Sequence, residues 1–343
     1  MKKILVTGIC GYIGSHCAVE LIQRGFNVIG VDHLVNSNQN TLERIRKIGK
    51  KEVPFYMLDL ADSVQCQSLF AREKNIEGIL HFAAYKSVSE SVEQPLRYYQ
   101  NNLNSLLNLL QAVEQNQIPN FVFSSSCTVY GLALKLPVTE DSDFLQTGSP
   151  YGRTKQMGEQ ILADYYSQQS KLKAISLRYF NPAGAHDSIL LGEAPHNPAQ
   201  NLVPVITETA YGIRNQMSIY GNDYNTFDGT CIRDYIHIMD LADAHVRALE
   251  YLMNGSCTGS LDVFNLGLGE GVSVLQAIHC FEETNGIKLN VQYAPRRAGD
   301  LAEVYADISK ANTILKWTPK KNLKDIMFTA WEWEKARRVK SNH

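Results

Sequence analysis

The chain has 343 residues, 44% hydrophobic and 20% charged, with 33 lysines and arginines against 35 aspartates and glutamates for a formal net charge of −2. That length allows one large or two modest domains around a substantial core, and the near balance of charge excludes the broad basic field of a nucleic-acid or anionic-membrane binder. No run is long and apolar enough to span a bilayer. Seven cysteines form no C-x-x-C pair and no set at metal-ligand spacing, so reduced thiols, no metal and a cytoplasmic location are expected.

In chain order, Lys3 to Val6 is a short β-branched run ending in glycines, and Ala18, Val19, Leu21 and Ile22 recur at helical spacing across Ser15–Arg24. This reads as strand, tight turn, helix. Gly8, Gly11 and Gly14 let the backbone turn sharply, approach a pyrophosphate through its N–H groups and pack helix against strand. The helix N-terminus adds positive partial charge there. A second strand, Phe26–Val31, ends at Asp32, an acid placed to accept from adenosine ribose hydroxyls and to repel a 2′-phosphate, which favours NAD over NADP.

The alternation continues through helix Thr41–Ile48, strand Val53–Leu58, helix Ser63–Glu73, strand Gly78–Phe82, helices Ser87–Gln94 and Leu96–Val113, and strands Asn120–Ser125 and Ala174–Tyr179. It predicts an α/β fold with a doubly wound parallel sheet of the Rossmann type. Asp59-Leu60 follows the third strand and either lies beneath the adenine or starts the next helix. Ser124, Ser125 and Ser126 emerge beyond the carboxyl end of a strand, where such sheets bind their ligands.

Chemistry enters with Ser149-Pro150-Tyr151-Gly152-Arg153-Thr154-Lys155. Ser149 is suited to cap and Pro150 to start a helix on which Tyr151 and Lys155 share a face. A free tyrosine is a poor base at neutral pH, with a pKa of about 10. A nearby ammonium and a cationic nicotinamide favour the phenolate, so Tyr151 is the candidate base for a sugar or alcohol hydroxyl.

After Tyr179 the pattern changes, and Phe180-Asn181-Pro182-Ala183-Gly184 leads into long loops with His186, Pro195, His196 and Pro198. The expected division is a dinucleotide-binding unit over 1–180, with a segment near 235–253 returning to it, and a smaller mixed α/β substrate region over 181–343. Arg233 and Arg296-Arg297 read as isolated positive charges suited to a diphosphate. Helices over Asp240–Met253, Val274–Glu283 and Leu323–Arg338 and a strand over Phe264–Gly267 follow, with Lys320-Lys321 and Arg337-Arg338 as solvated ends.

Together these words resemble the UDP-galactose (UDP-glucose) 4-epimerases, extended members of the short-chain dehydrogenase/reductase superfamily. The likeness runs from Thr7-Gly8-x-x-Gly11-Tyr12-Ile13-Gly14-Ser15-His16 through Phe123-Ser124-Ser125-Ser126, Thr128-Val129-Tyr130-Gly131, Tyr151 with Lys155, and Arg178-Tyr179-Phe180-Asn181-Pro182 to Arg233-Asp234-Tyr235-Ile236-His237 and Arg296-Arg297 with Gly299-Asp300. It implies an isomerase with tightly held NAD, in which Tyr151 takes the proton of the sugar 4-hydroxyl as hydride leaves C4. The 4-keto sugar then turns over, and hydride returns to its opposite face. Ser126 would share the reacting oxygen, and Lys155 would hold the nicotinamide ribose and tune Tyr151.

By position the resemblance implies that Gly8, Gly11, Tyr12, Ile13, Gly14, Asp32, His33, Leu34, Val35, Asn36, Asp59, Leu60, Phe82, Lys86, Lys155 and Tyr179 line the NAD. The UDP-hexose would meet Ser126, Cys127, Thr128, Tyr179, Phe180, Asn181, Gln200, Asn201, Leu202, Ser218, Ile219, Tyr220, Arg233, Arg297, Ala298, Gly299, Asp300 and Val304. The family pattern is broken at Ile9-Cys10, where small residues are usual, at His33, at Ala84 and at Ala298. Val304 is small where a tyrosine restricts some members to glucose and galactose, which implies room for a 2-acetamido group. A homodimer is implied through the helices near Leu96–Val113 and Gln156–Tyr166. Two rival readings are a nucleotide-sugar 4,6-dehydratase, which needs an acid pair where Cys127-Thr128 stands, and a non-catalytic NAD-binding scaffold.

Overall fold

The structure is a computed structural model that describes residues 1–132, 135–168, 172–195, 198–297 and 300–339. Its centre is built from six strands, all but the edge strand β3 largely buried: β1 (Lys3–Thr7), β2 (Asn27–Asp32), β3 (Phe55–Met57), β4 (Ile76–His81), β5 (Asn120–Ser124) and β6 (Lys173–Tyr179). Leu261–Leu266, from late in the chain, pairs with β6 and completes a seven-stranded parallel sheet. From that edge the order runs through β6, β5, β4, β1 and β2 to β3. The chain reverses its direction of winding between β1 and β4, so a crevice opens beyond their carboxyl ends.

Helices cover both faces: α1 (Tyr12–Gln23), α2 (Asn40–Gly49), α3 (Ser63–Arg72), α4 (Val88–Glu93), α5 (Pro95–Asn116) and α6 (Pro150–Ser167), with Ile238–Met253 later in the chain. On one face α1 buries Cys17, Ala18, Leu21 and Ile22 against Leu241, Ala244 and Ala248. On the other, α3, α5 and α6 bring Leu69, Leu106, Leu109 and Leu162 onto Leu5, Ile79 and Phe121. Trp317 is fully buried in the first of these cores, and its indole N–H donates to the Asp240 carbonyl at 3.0 Å.

Sequence and structure differ at several points. Helix α1 begins at Tyr12 rather than Ser15, with Gly11 as its N-cap, because the glycine turn runs directly into it. The third strand is only Phe55–Met57. A helix over Leu202–Ala210 stands in what reads as loop; Pro204 sits in its first turn, where a missing N–H costs nothing, and so disguises it.

The later region also carries short strand pairs that no local pattern announces. Asn181–Ala183 lies beside Tyr235–His237, Met217–Tyr220 beside Val291–Ala294, and Ile232–Arg233 between Val272–Ser273 and Glu303–Val304. The last register sets Val304 opposite Arg233. The terminal charges are not solvated ends: Arg337 and Arg338 bond the buried Glu334, and Lys321 reaches Asp187 at 2.7 Å. Among the described residues no helix is long and apolar enough to cross a membrane, and all seven cysteines are free.

Candidate active site

The turn between β1 and α1 is shaped by what its glycines lack. Gly8 has φ +66°, and a Cβ there would meet the Ala83 nitrogen at 3.0 Å. A Cβ on Gly14 would stand 2.3 Å from the Gly8 carbonyl oxygen, so only glycine lets α1 come this close to the turn. No side chain caps α1, which leaves its first N–H groups, those of Tyr12, Ile13 and Gly14 included, without a side-chain acceptor. The departure at Ile9 is absorbed by Gly30 on β2, where a Cβ would come within 2.6 Å of the Ile9 side chain.

Asp32 closes the same crevice from the end of β2. One carboxylate oxygen accepts from the Cys10 N–H at 3.0 Å, the other from Leu34 N–H at 2.9 Å and Ser37 Oγ at 2.8 Å. Burial pushes its pKa up, but hydrogen bonds from His33, Leu34, Ser37 and Cys10 outweigh that and hold the carboxyl below its ordinary value. His33, Leu34, Val35 and Asn36 follow on one loop, with Leu34 left-handed and Val35 exposed. Phe82 lies across β1, its N–H on Thr7 Oγ1, and Lys86 reaches Glu193 at 3.3 Å from an exposed position. Asp59 does not start α3: it accepts from Ala61 N–H, and Asp62 caps the helix instead. Leu60 is buried in the core beneath.

The serines, Tyr151 and Lys155 converge beyond β5. Ser149 Oγ accepts from Gly152 N–H at 3.2 Å and Pro150 begins α6, as the sequence predicts. The Lys155 ammonium donates to the Ser124 carbonyl and lies 4.9 Å from the Phe123 ring and 6.0 Å from the Tyr151 ring. Ser124 Oγ bonds the Tyr179 hydroxyl. Ser126 Oγ accepts from Thr128 N–H at 3.2 Å and so caps the short turn Cys127–Tyr130.

Burial dominates the electrostatics here. It pulls Lys155 down to about 8, opposed by the Glu159 carboxylate, and pushes Tyr151 up to about 12, opposed by a hydrogen bond with Ser126. The ammonium beside it does not by itself bring the tyrosine down, which accords with the expectation that a cationic nicotinamide acts with it. A second positive charge beside the phenol is needed to make it a base near neutrality.

On the substrate side, Arg233 and Arg297 share one carboxylate: Asp300 lies 3.7 Å from Arg233 Nη2 and 2.9 Å from Arg297 Nε. They are not isolated charges, and neither is Arg296, which binds Asp223 at 2.7 Å. Ala298 and Gly299 lie outside the described residues, as does His196. Phe180 and Val304 are buried together against Val129 and Tyr130, with Cys127 packed on the same cluster. Asn181 donates to the Asp234 carbonyl, Gln200 accepts from Ser89, Asn201 donates to Glu193, and Leu202 opens its helix. Ser218 bonds Gln292, and Tyr220 lies exposed beneath Arg297. Ile219 points its side chain into the core between these two, which leaves only its backbone for a ligand.

Sequence reasoning missed the group behind Lys155, where Glu159 and Arg178 form a buried ion pair at 2.7 Å. The signal was there, since Glu159 extends the i, i+4 spacing of Tyr151 and Lys155 by one step. His186 is buried beside His16 rather than lying loose in a loop. Among the described residues no group of three or more His, Cys, Asp or Glu is placed to hold a metal.

Residues 5–329 match the family model described as GDP-mannose 4,6 dehydratase. The chain is 45% identical over 333 residues to a UDP-glucose 4-epimerase of Bacillus subtilis, covering 97% of each chain. It superposes with a TM-score of 0.95 on a UDP-glucose-4-epimerase from Stenotrophomonas maltophila with bound NAD and formylated UDP-arabinopyranose, at 42% identity over 99% of this chain and 100% of that one. A UDP-glucose 4-epimerase from Bifidobacterium longum in complex with NAD+ and UDP gives 0.93 at 40% identity, over 98% of this chain and 99% of that one.

The lysine makes a testable conflict between chemistry and stability. A fall from 10.5 to about 8 represents about 3 kcal/mol spent on burying the ammonium. Lys155→Met should therefore stabilise the protein at pH 7 by about 1–3 kcal/mol, net of the lost hydrogen bond to Ser124. Below about pH 8 both folded and unfolded wild-type chains hold the proton and the cost is fully present; between there and about 10.4 the unfolded lysine alone keeps it, so the gap closes as pH rises. Thermal unfolding across pH 7–10.5 measures it, and a destabilised Lys155→Met at pH 7 would contradict the assignment.

Proposed function

The chain belongs to the UDP-glucose 4-epimerase family, and on that premise we propose that it interconverts UDP-galactose and UDP-glucose through transient oxidation at C4. The observation that carries this reading is likeness to epimerases over almost the whole chain, with Ser126, Tyr151 and Lys155 gathered at one strand end. The cofactor is NAD, and this chain's own features suit it: a turn that a Cβ at Gly14 would obstruct, an α1 N-terminus without a side-chain cap, and a carboxylate at the end of β2. When bound, NAD supplies a reversible acceptor for the C4 hydride and a positive charge beside the phenol.

The protein's part is to move one proton and hold one end of the substrate. Tyr151 withdraws the proton from the sugar 4-hydroxyl, and Ser126, just beyond the end of β5, shares that oxygen. Lys155, fixed on the Ser124 carbonyl, would hold the nicotinamide ribose of bound NAD and keeps its ammonium near Tyr151. Arg233 and Arg297 exchange their shared Asp300 for the diphosphate, so the UDP is anchored. The hexose is left free to move, and the 4-keto sugar turns about its link to the diphosphate to offer its other face.

The family model's name points to a dehydratase, which must also remove water across C5 and C6. Its acid and base would stand at Cys127-Thr128. Burial pushes the Cys127 thiol up to about 11, against the pull of Arg233, so that position offers neither a base nor a strong acid at neutral pH. A non-catalytic scaffold would have no use for a buried lysine beside a tyrosine and a serine.

Two finer readings go with this. Val304, small and set opposite Arg233, puts no bulky ring at this position, which supports UDP-N-acetylgalactosamine as a second substrate. The protein is a cytoplasmic homodimer through α5 and α6, a reading supported by free thiols and by Leu96 and Leu107 exposed on α5 at 72% and 42%.

Tyr151→Phe should lower kcat by about 100-fold or more while the purified protein keeps its NAD, read from absorbance after denaturation; undiminished kcat would remove Tyr151 from the mechanism. Val304→Tyr should abolish turnover of UDP-N-acetylgalactosamine and leave UDP-galactose turnover within a few-fold. No wild-type turnover of the acetamido sugar at millimolar concentration would defeat that assignment. Light scattering should return twice the chain mass, and a monomer would refute the dimer.

A further inference from the structure

The carboxylate of Glu159 is almost fully buried, 5% exposed, and no step of the proposed reaction uses it. It accepts from Arg178 through Nε at 3.0 Å and Nη2 at 2.7 Å, and from the hydroxyl of Ser125. Arg178, equally buried, spends its remaining nitrogen on the Tyr130 hydroxyl at 3.1 Å and the Glu140 carbonyl at 2.9 Å. Its guanidinium lies between the rings of Tyr130 and Phe144, at 5.0 and 4.9 Å. Tyr130 in turn donates to Asn265 on the edge strand of the sheet. The group thus joins β5, the turn Cys127–Tyr130, α6, β6 and Leu261–Leu266.

Stability is a weak explanation for such a pair. Taking a carboxylate and a guanidinium out of water costs about as much as their attraction returns, and well-packed apolar residues usually serve as well. What the pair supplies is fixed geometry, and the contacts of Glu159 lie on both halves of the reacting constellation. It follows Lys155 by one turn and Tyr151 by two, on the same face of α6. Ser125, its other partner, stands between Ser124, whose carbonyl holds Lys155 and whose hydroxyl holds Tyr179, and Ser126, which caps the turn Cys127–Tyr130.

We propose that Glu159 is a positioning residue, which through Ser125 and Arg178 clamps the strand end carrying Ser126 to the helix carrying Tyr151 and Lys155. It touches neither sugar nor nicotinamide, and acts by fixing the distance between two groups that must meet the same hydroxyl. The catalytic part of this inference rests on the epimerase reading above. The clamp itself does not.

The test compares full-length wild type, Ser125→Ala and Glu159→Gln in kcat, KM for UDP-galactose, thermal midpoint and backbone hydrogen exchange without UDP-sugar. Ser125→Ala leaves the ion pair intact; it should lose about tenfold in kcat with KM within about twofold, because misplacement by a fraction of an ångström acts on the transition state more than on binding. Its hydrogen exchange should quicken across Ser125–Val129 and nowhere else. Glu159→Gln should lose about 100-fold.

Activity within about twofold of wild type in both variants would overturn the proposal, as would a loss that merely follows the folded fraction with exchange raised evenly along the chain. Should Glu159→Gln fail to fold, Ser125→Ala decides alone. Should wild type itself fail to epimerise, the functional reading falls, and the exchange pattern of Ser125→Ala still upholds or overturns the clamp.

Discussion

The site depends on a lysine ammonium kept almost wholly out of water. Lys155 is held by a backbone carbonyl at the end of β5, with Phe123 beneath it and Tyr151 one turn away. The same burial acts in opposite directions on the two groups, making the lysine reluctant to be charged and the tyrosine reluctant to ionise. Glu159 partly offsets burial for the lysine and Ser126 for the tyrosine, and Tyr151 still falls short of a base at neutral pH. The missing element is a positive charge that arrives with the oxidised cofactor. Proton removal is thereby tied to the moment when a hydride acceptor stands ready.

A second constraint follows from an intermediate that must turn over. A pocket gripping the hexose on all sides would forbid that turn. In the proposed reaction the strong contacts would fall on the diphosphate side, in Arg233, Arg297 and their shared Asp300. The reacting side offers a proton-transfer pair and a wall made by Phe180, Val304 and Cys127. Short strand pairs in the later region join these walls, and one register places Val304 opposite Arg233. In that reaction the Rossmann sheet would hold the chemistry, while the later region would anchor a handle.

What was legible in the sequence was what local geometry dictates. The spacing of Gly8, Gly11 and Gly14, Asp32 at a strand end, strand–helix alternation, and the cap and proline before Tyr151 are all decided within a few residues of themselves. The structure shows each of them formed. Features that depend on distant partners were not legible. Leu202–Ala210 is helical with a proline in its first turn, and its apolar face meets the core of the later region. The pairing of Arg233 with Asp300, and of Lys321 with Asp187, needs the folded chain to be visible. The upward shift of Tyr151 was hidden for the same reason, since burial is a property of the fold.

The most direct test of the central claim, that hydride leaves and returns to one carbon within a single site, follows the label in UDP-galactose deuterated at C4. The purified protein would be given this substrate with no added NAD. The account predicts UDP-glucose that retains deuterium at C4. Loss of the label to solvent would contradict it, because the C4 hydrogen would then leave as a proton rather than as a hydride held within the site.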